Sequence, residues 1–459
     1  MKIVSNLVIS CVLVFSIVSC KDCAPNIDQK QDLSNTDFIY IDGNKFALKN
    51  EPYFAMMLNY VLDTRSIDGE FIISPYIGYE TPAVYETNTK ADIENQLRGH
   101  FQLIKEMGFN TVRLCFDRIT IRKDKYCYSA NGVNYFIEED YFAILEALKT
   151  AIDIAGEKEL RVMLLLKNPS AHPSLENFAV RIMQAFKENP TIFAYDLFNE
   201  PLYFDPVEHT KTEVCAIVSH WKSLMNEHAP NQLLTIGFSE PIETFKWDPS
   251  ILPVDFIAFH TYHPLRVKSE VYWYSTYVNK PWMIGETAMP ADNDSISYEE
   301  QRAFMLDLYK YVLDCGGTGF GWWEFQESTG GNFEAKYTGL LTHEGTTTTQ
   351  DNKHTIIGTQ KPTVEAFMNI EPYTPQKKVR PVNYYNIVGY NNFVVRGKIV
   401  NKWTRRPIEG ATIRGWTDTW VGMNTFSDKN GEFTLYSNAE AVHFQISAPG
   451  MDQIGRAHV

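Results

Sequence analysis

The stretch FAYDLFNEP, residues 193–201, is a short apolar run that ends in Asn199-Glu200-Pro201. Its length and apolar side chains predict a buried strand. Pro201 ends that strand, because proline cannot donate to a ladder and pushes the preceding residue out of the helical region. Glu200 therefore lies where a strand leaves its sheet. On this stretch alone a solvated glutamate is the simpler interpretation, and the rest of the chain must decide.

Composition limits the kinds of partner. A chain of 459 residues fits one α/β barrel with a small additional domain. The net charge of −14 argues against a polyanion such as nucleic acid and is neutral about uncharged partners. An aromatic content of 14% suits ring stacking on a ligand, and it suits a large core equally well.

The first residues have the features of an export signal. Lys2 supplies positive charge, and residues 7–18 form an apolar run too short to span a bilayer as a mature helix. The run ends in Ile17-Val18-Ser19-Cys20, which resembles the lipobox of bacterial lipoproteins. We expect residues 1–19 to be the signal peptide, Cys20 to carry the lipid, and residues 20–37 to tether the protein to the membrane of the bacterial cell envelope, on the outer membrane. An ordinary cleaved signal with an incidental cysteine is the alternative.

Two of the seven cysteines lie in this signal. The remaining five have no paired short spacings, which predicts neither a zinc site nor a disulfide framework. In an oxidising compartment a local disulfide between Cys115 and Cys127 is an alternative, but free buried thiols are the simpler interpretation.

From about residue 38, apolar runs of strand length alternate with longer amphipathic segments, which is typical of repeated β-α units. The eight strand candidates are residues 54–60, 111–116, 161–166, 192–198, 233–238, 256–260, 282–285 and 318–323. Eight units predict a (β/α)8 TIM barrel over residues 38–370, with chemistry at the C-terminal ends of its strands. A doubly wound open sheet is the main alternative. Such a sheet has fewer strands, and a glycine-rich phosphate loop usually follows its first strand. The first strand candidate here ends in Leu58-Asn59-Tyr60, and no glycine-rich loop follows it. Residues 62–88 and 329–351 are expected to be long loops that shape a cleft.

The pattern changes near residue 371. A proline-rich, charged linker over residues 371–392 precedes short strand candidates over 393–453, which predict a small all-β sandwich domain. Residues 395–400, 407–411 and 426–433 resemble the carboxypeptidase regulatory-like family, a transthyretin-like sandwich, which implies an accessory or spacer role. That domain stops before a last strand. The closing hexapeptide, residues 454–459, matches the translation of a common sequencing adapter, so we interpret it as an assembly artefact.

A second carboxylate lies at the end of the seventh strand candidate, in Met283-Ile284-Gly285-Glu286-Thr287. The ends of the fourth and seventh strands face each other across the mouth of a closed barrel, so Glu200 and Glu286 can approach. Two facing carboxylates are the groups that glycosidic bond cleavage requires, one to protonate the leaving oxygen and one to attack or to activate water.

Four short motifs carry a family resemblance. Asn199-Glu200-Pro201, His260-Thr261-Tyr262, Gly285-Glu286 and Gly321-Trp322-Trp323, each at its expected strand, resemble glycoside hydrolase family 5 of clan A, the cellulase and mannanase barrels. The resemblance covers roughly residues 38–368. It implies a retaining β-glycosidase that needs no cofactor and no metal, and that acts on a β-linked polysaccharide or oligosaccharide of mannan or glucan type, in endo fashion.

The resemblance also assigns roles to residues. Glu200 would be the general acid/base and Glu286 the nucleophile, with their carboxyl groups about 5–5.5 Å apart. Five further residues would bind substrate or support the carboxylates: Arg113, Asn199, His260, Tyr262 and Trp323. Trp322 and Trp323 point to opposite faces of their strand, so only one of them can line the site. The resemblance favours Trp323, because the family pattern is a tryptophan followed two places on by a second aromatic or aliphatic residue, here Phe325.

Some features fall outside the family pattern. Glu240 and Glu324 are further carboxylates at strand ends, which we interpret as substrate-binding or structural. Many family members carry Asp-x-His at the third strand, where this chain reads Leu164-Leu165-Leu166-Lys167-Asn168, and His172 is a possible substitute.

A catalytically inactive glycan-binding lipoprotein on the same barrel is the alternative function. A barrel with other chemistry lacks a supporting motif, although Lys167 is its one candidate.

Overall fold

The computed structural model describes residues 33–67, 69–76, 78–79, 89–119, 128–130, 133–135, 141–166, 173–205, 207–291, 295–328, 335–401, 403–417, 422–439, 443–451 and 455–458. The predicted signal peptide and Cys20 lie outside these ranges, as do Lys167 and His172. No helix within the described ranges is both long and apolar enough to cross a lipid bilayer.

Eight parallel strands form a closed barrel, which confirms the predicted fold class. They are β1 (Ala55–Ile67), β2 (Thr111–Ile119), β3 (Arg161–Leu165), β4 (Ile192–Asn199), β5 (Leu233–Phe238), β6 (Ile257–His260), β7 (Trp282–Glu286) and β8 (Gly319–Trp322). Each strand pairs with the next, and β8 closes the barrel by pairing in parallel with β1. A doubly wound open sheet is thereby excluded.

The long helices among the described residues pack around the barrel, and short helices lie at its loops and in the linker. In chain order the helices are α1 (Lys90–Glu106), α2 (Tyr141–Glu157), α3 (Pro173–Phe186), α4 (Pro201–Phe204), α5 (Lys211–His228), α6 (Val267–Tyr277), α7 (Tyr298–Asp314), α8 (Ala335–Thr338), α9 (Pro362–Met368) and α10 (Tyr384–Ile387). The sequence encodes several of their starts, because Thr89, Thr210 and Ser297 each form a reciprocal capping box with an acidic residue three positions on.

The barrel interior is apolar at one end and polar at the other. A three-stranded sheet of Tyr40–Asp42, Lys45–Leu48 and Glu51–Tyr53 covers the apolar end. From it, Phe46 packs edge-on against Phe193 and Phe256, with ring centroids 5.9 and 4.9 Å apart. The polar side chains therefore collect at the opposite end, where the strands finish.

One sequence expectation is wrong. Residues 62–88 do not begin with a loop, because β1 continues to Ile67 and forms an antiparallel hairpin with the strand Glu70–Pro75. The sequence contains the signal for this hairpin, since Asp68-Gly69 separates two runs with strand-forming residues. Within the other expected loop, Thr346–Thr348 begins a second hairpin that pairs with Thr355–Ile357.

The C-terminal region is all-β, as predicted, and has two sheets. Strands β9 (Phe393–Lys398), β10 (Thr412–Trp416), β11 (Gly422–Phe426), β12 (Glu432–Ser437), β13 (His443–Ser447) and β14 (Gly455–His458) compose it. One sheet pairs β9 with β12, and the other has the order β11-β10-β13-β14. The transthyretin-like identity and the artefactual origin of residues 454–459 stay predictions.

The cysteines differ from the simpler sequence interpretation. Cys115 and Cys315 are buried thiols outside any disulfide bond, so a bridge between Cys115 and Cys127 does not form. Cys215, on α5, takes part in a disulfide bond. Sequence spacing does not reveal such a bond, because it depends on chain segments that only folding brings together.

The C-terminal domain docks closely on the barrel. The Trp273 indole on α6 donates to the carbonyl of Gly410 at 3.0 Å, just before β10. Gly410 has φ +72°, and a Cβ built there would lie 2.5 Å from the Tyr277 ring. Only glycine fits this contact without a shift of the ring or of the domain.

We expect Gly410→Ala to destabilise the protein through this contact. Gly389→Ala is the matched control, because Gly389 also has positive φ (+80°) but has no heavy atom within 4 Å of the added Cβ. Gly410→Ala should cost about 1–3 kcal/mol more than Gly389→Ala in the free energy of unfolding. Thermal or urea unfolding measures the difference, and equal losses for the two variants would contradict the docking contact.

Candidate functional site

Glu200 is placed by an irregular end of β4. The pairing with β5 shifts register between Asp196 and Asn199, and β4 then ends. Glu200 itself has φ +43°, a left-handed conformation that is uncommon for a non-glycine residue. Its N–H donates to the carbonyl of Gly237 at 2.7 Å, and Pro201 begins α4. The sequence prediction of a strand that stops at this proline is confirmed.

Glu286 ends β7 and is 5% exposed. Its two carboxylate oxygens accept hydrogen bonds from different side chains, Oε1 from the Arg113 guanidinium and Oε2 from the Tyr262 hydroxyl. One oxygen of Glu200, one oxygen of Glu286 and one ring nitrogen of His260 lie within 4.8 Å of one another. The fold therefore brings together two carboxyl groups that are 86 positions apart in sequence.

The Arg113 guanidinium connects most of the site. It is completely buried on β2 and donates to Asp196 at 2.9 Å, to Asn199 at 2.9 Å and to Asn59 at 3.1 Å, besides Glu286. A guanidinium keeps its charge in proteins, and burying a charge is tolerable only when it is paired and hydrogen-bonded. The four partners meet that requirement, so Arg113 is a buried and fully paired cation at the centre of the site.

Sequence reasoning missed Asp196 and Asn59. Both are completely buried, and both interrupt apolar strands at positions that face the barrel interior. A polar residue inside an otherwise buried strand is the signal that could have found them. Asn59 also donates to the carbonyls of Gly285 and Trp322, each at 3.0 Å, and so links β1 to β7 and β8.

His260 faces the acid candidate. Its Nδ1 lies 2.8 Å from Glu200 Oε1, and within the described residues its buried Nε2 has no hydrogen-bond partner. Burial lowers the pKa of His260 to about 4. The imidazole is therefore neutral near pH 7, and Nδ1–H is the atom that can donate to Glu200. A Cβ at Gly237 would lie 2.8 Å from this ring, so glycine there leaves room for it.

The surroundings of Glu200 favour its protonated form. Burial is the main cause and raises its pKa to about 7, with the charge of Glu240 contributing in the same direction and Arg113 opposing it. A carboxyl group with this pKa can donate a proton near neutral pH. Its neighbour across the site, Glu286, instead has two hydrogen-bond donors directed at it.

The remaining strand-end carboxylates have other contacts. Glu324 is buried and accepts from the Tyr79 hydroxyl at 2.7 Å. Glu240 accepts from the Tyr203 hydroxyl at 2.7 Å and from Arg266 at 3.2 Å. Neither contacts Glu286 through a described hydrogen bond, which agrees with their interpretation as binding or structural groups.

The two tryptophans at the end of β8 have different surroundings. Trp322 is completely buried, donates to the carbonyl of Thr338 at 3.0 Å and packs edge-on against Phe367. Trp323 is only partly buried. Trp322 is thus committed to the layer between strands and helices, and Trp323 stays the candidate for a substrate contact.

A further buried acid, Glu243, was not predicted. It lies in the 3-10 helix Pro241–Phe245 after β5, and its Oε1 accepts from the backbone and hydroxyl of Ser239 and from the N–H of Leu202. Burial raises its pKa to about 8. Glu243 therefore fixes the loop after β5 to the turn that follows Glu200. Nothing in the local sequence distinguishes it from a surface glutamate.

The distances among Glu200, His260 and Glu286 would also suit a metal ion. The hydrogen bonds do not suit a metal ion, because Arg113 and Tyr262 already donate to the two oxygens of Glu286. A second cation beside the buried guanidinium would be repelled. The arrangement fits acid-base and nucleophilic chemistry between carboxyl groups better.

Comparison with known proteins identifies a family. Residues 77–327 match the sequence profile described as cellulase (glycosyl hydrolase family 5). A search of curated proteins finds no match. The family assignment rests on the sequence profile.

Several solved structures are similar in fold at low identity. The exo-β-1,4-mannosidase Op5Man5 from Opitutaceae bacterium strain TAV5 is 15% identical with a TM-score of 0.49, over 72% of this chain and 60% of that one. A family 5 mannosidase from Rhizomucor miehei is 13% identical with a TM-score of 0.46, over 72% and 96%. The family 1 β-glucosidase from Thermotoga maritima is 11% identical with a TM-score of 0.47, over 72% and 98%.

We expect Glu240→Gln to lower the pKa of Glu200. The negative charge of Glu240 disfavours ionisation of Glu200, so its removal lets the proton leave at lower pH. NMR titration of the glutamate side-chain carboxyl carbons, with the Glu200 signal assigned from Glu200→Gln, measures the shift. Glu299→Gln, at an exposed position of α7, is the control that should leave the titration unchanged. An unchanged or higher midpoint in Glu240→Gln would contradict the electrostatic coupling.

Proposed function

Because the chain belongs to the cellulase family, glycosyl hydrolase family 5, and is thus a glycosidase, we propose that it hydrolyses β-glycosidic bonds with retention of configuration. In this proposal Glu286 is the nucleophile and Glu200 the general acid and base. The observation that carries it is the approach of the two carboxyl groups, with one oxygen of each within 4.8 Å of the other. In retaining enzymes the two carboxyl groups are about 5–5.5 Å apart, whereas inverting enzymes need about 6.5–9.5 Å to admit a water molecule. The close approach of the two groups here therefore supports retention.

The first step forms a bond between a Glu286 oxygen and the anomeric carbon. The bond from that carbon to the leaving oxygen breaks, and Glu200 gives this oxygen its proton. A pKa of about 7 keeps the proton on Glu200 until it is needed. The neutral His260 holds Glu200 through Nδ1 without competing for the proton, because its own pKa is about 4.

The second step reverses the roles. Glu200, now a carboxylate, takes a proton from water, and the water oxygen attacks the anomeric carbon and releases Glu286. Arg113 and Tyr262 stabilise the departing carboxylate through the hydrogen bonds that they make in the free enzyme. Asn199, held by Arg113, is the residue that we assign to the sugar 2-hydroxyl.

We further propose a β-linked polysaccharide or oligosaccharide of mannan or glucan type as substrate, cleaved in endo fashion. The family supports β-linked glycans. Partly buried Trp323 and exposed Tyr203 and Phe204 beside Glu200 offer aromatic faces for sugar rings. A panel of β-glucans and β-mannans with sizing of the products determines both the sugar and the mode of cleavage.

We expect Glu286→Ala and Glu200→Gln to abolish most of the hydrolysis without unfolding the protein. Loss of the acid/base should cost about 10²–10⁴-fold in kcat, and loss of the nucleophile at least as much. Hydrolysis of the active substrate from the panel measures this, and NMR of the first-formed anomer measures the stereochemistry. Glu299→Gln is the control for removal of a surface carboxylate.

Two outcomes would contradict the catalytic assignment. Unchanged activity of Glu286→Ala would exclude it as the nucleophile, and an inverted first product would exclude the double displacement. A wild-type protein that binds glycans but hydrolyses none would favour the glycan-binding alternative.

For the location we propose a lipid anchor at Cys20 in the bacterial outer membrane, on the basis of the lipobox-like sequence. We expect Cys20→Ser to move the protein from the detergent phase to the aqueous phase in a Triton X-114 partition. The full-length chain expressed in a Gram-negative host is the material for this comparison. Partition of the unchanged protein into the aqueous phase would show that the cysteine is not lipidated.

A further inference from the structure

The C-terminal domain touches the barrel at the rim beside the candidate site. The Ser447 hydroxyl on β13 donates to the carbonyl of Thr244, in the 3-10 helix that follows β5, at 2.8 Å. Lys211, at the start of α5, forms a buried ion pair with Asp248 at 3.0 Å and donates to the carbonyl of Ala448. The loop after β5 therefore lies between the domain and the site, and the domain has a fixed position next to it.

A chain of hydrogen bonds runs from the loop of Glu200 to this domain. Tyr203, three residues after Glu200, donates its hydroxyl to Glu240 Oε1 at 2.7 Å. Asn424, on β11 of the C-terminal domain, donates to the other oxygen, Oε2, at 3.4 Å. Glu240 lies close enough to Glu200 that its charge raises the pKa of that acid. The domain thus contributes a polar side chain to the surroundings of Glu200.

The linker before the domain contributes an aromatic side chain. Tyr384, on α10, packs edge-on against His263 with ring centroids 4.6 Å apart, and Arg266 lies over its ring. His263 directly follows Tyr262, which holds Glu286. A pocket lies between barrel and domain here, lined among others by Arg266, Tyr384 and Asn424.

These groups have the chemistry of a sugar-binding surface. Tyr203 is 55% exposed although its hydroxyl is bonded, so its ring is open to a ligand. Aromatic faces pack on the apolar faces of sugar rings, and carboxylate, amide and guanidinium groups bond the hydroxyls around the ring. Both kinds of group are present here, contributed jointly by the barrel and the C-terminal region.

We propose that the C-terminal domain completes a binding subsite for the departing sugar, formed by Tyr203, Glu240, Tyr384 and Asn424. This inference rests on the proposed function of Glu200. That residue gives its proton to the leaving oxygen, so the sugar attached to this oxygen lies next to it. Tyr203 follows Glu200 on its own loop and bonds Glu240, and the domain's Asn424 bonds the other oxygen of Glu240, so these side chains are placed to hold that sugar. The domain is then a part of the cleft and not only a spacer.

Substrates with and without a departing sugar test the subsite. The probes are 4-nitrophenyl β-cellobioside against cellohexaose, or 4-nitrophenyl β-mannobioside against mannohexaose, whichever pair the wild type hydrolyses. The nitrophenyl group leaves without the contacts that a sugar makes. We expect Asn424→Ala and Tyr384→Ala to lower kcat/KM on the hexasaccharide about tenfold more than on the aryl glycoside, which corresponds to about 1.4 kcal/mol of lost binding.

Matched variants separate this effect from unfolding. Trp403→Ala removes an exposed aromatic elsewhere in the same domain and should leave the ratio of the two activities unchanged. Tyr203→Ala removes a barrel side chain of the subsite and should reproduce the loss. Because this variant leaves the C-terminal domain unchanged, its effect does not depend on how firmly that domain docks. Equal losses on both substrates, or no loss in all three rim variants, would overturn the subsite. Failure of the wild type on every pair would instead overturn the proposed function.

Discussion

A guanidinium buried at the centre of the barrel mouth is the constraint on which the site depends. Arg113 has no exposed surface, and removing its charge from water is costly unless several acceptors surround it. Asp196, Asn59, Asn199 and Glu286 supply those acceptors from three strands, β1, β4 and β7. The need to satisfy one cation on β2 thereby fixes the relative positions of β1, β2, β4 and β7 at the candidate site.

The same constraint explains why two glutamates in one cleft differ chemically. Glu286 accepts from a cation and a hydroxyl, which together suit a carboxylate that attacks carbon. Glu200 faces a neutral imidazole, is largely buried and has Glu240 nearby, so its pKa rises to about 7. Their surroundings therefore differ, since two donors hold Glu286 and burial favours the protonated form of Glu200. This is the division of labour that glycoside cleavage requires.

The rim is organised around two further acids, the buried Glu243 and the partly exposed Glu240. Glu243 fixes the turn after Glu200 to the loop after β5, and Glu240 connects that turn to the C-terminal domain. The loops that carry the chemistry thus have support from two directions. A domain packed on such loops influences the shape of the cleft, since loops without that support would have more freedom to move.

The sequence by itself determined the barrel, the ends of its strands and the two carboxylates found there. The local signals are apolar runs of strand length, amphipathic helices and a proline after Glu200. Such signals can be recognised without knowledge of the fold. Arg113 was assigned to the site through the family resemblance. The hairpin that extends β1 was also encoded, in Asp68-Gly69, although the length of the segment suggested a loop.

Only the tertiary structure decided which groups surround these residues. Periodicity tells which face of a strand a side chain occupies, but not which side chain meets it across the barrel. Asp196 and Asn59 became parts of the site through contacts with Arg113, a residue of another strand. The buried acid Glu243 and the bond from Asn424 to Glu240 likewise join segments far apart in sequence. Such contacts exist only once the barrel closes and the C-terminal domain docks, because each needs two segments that the chain does not hold together.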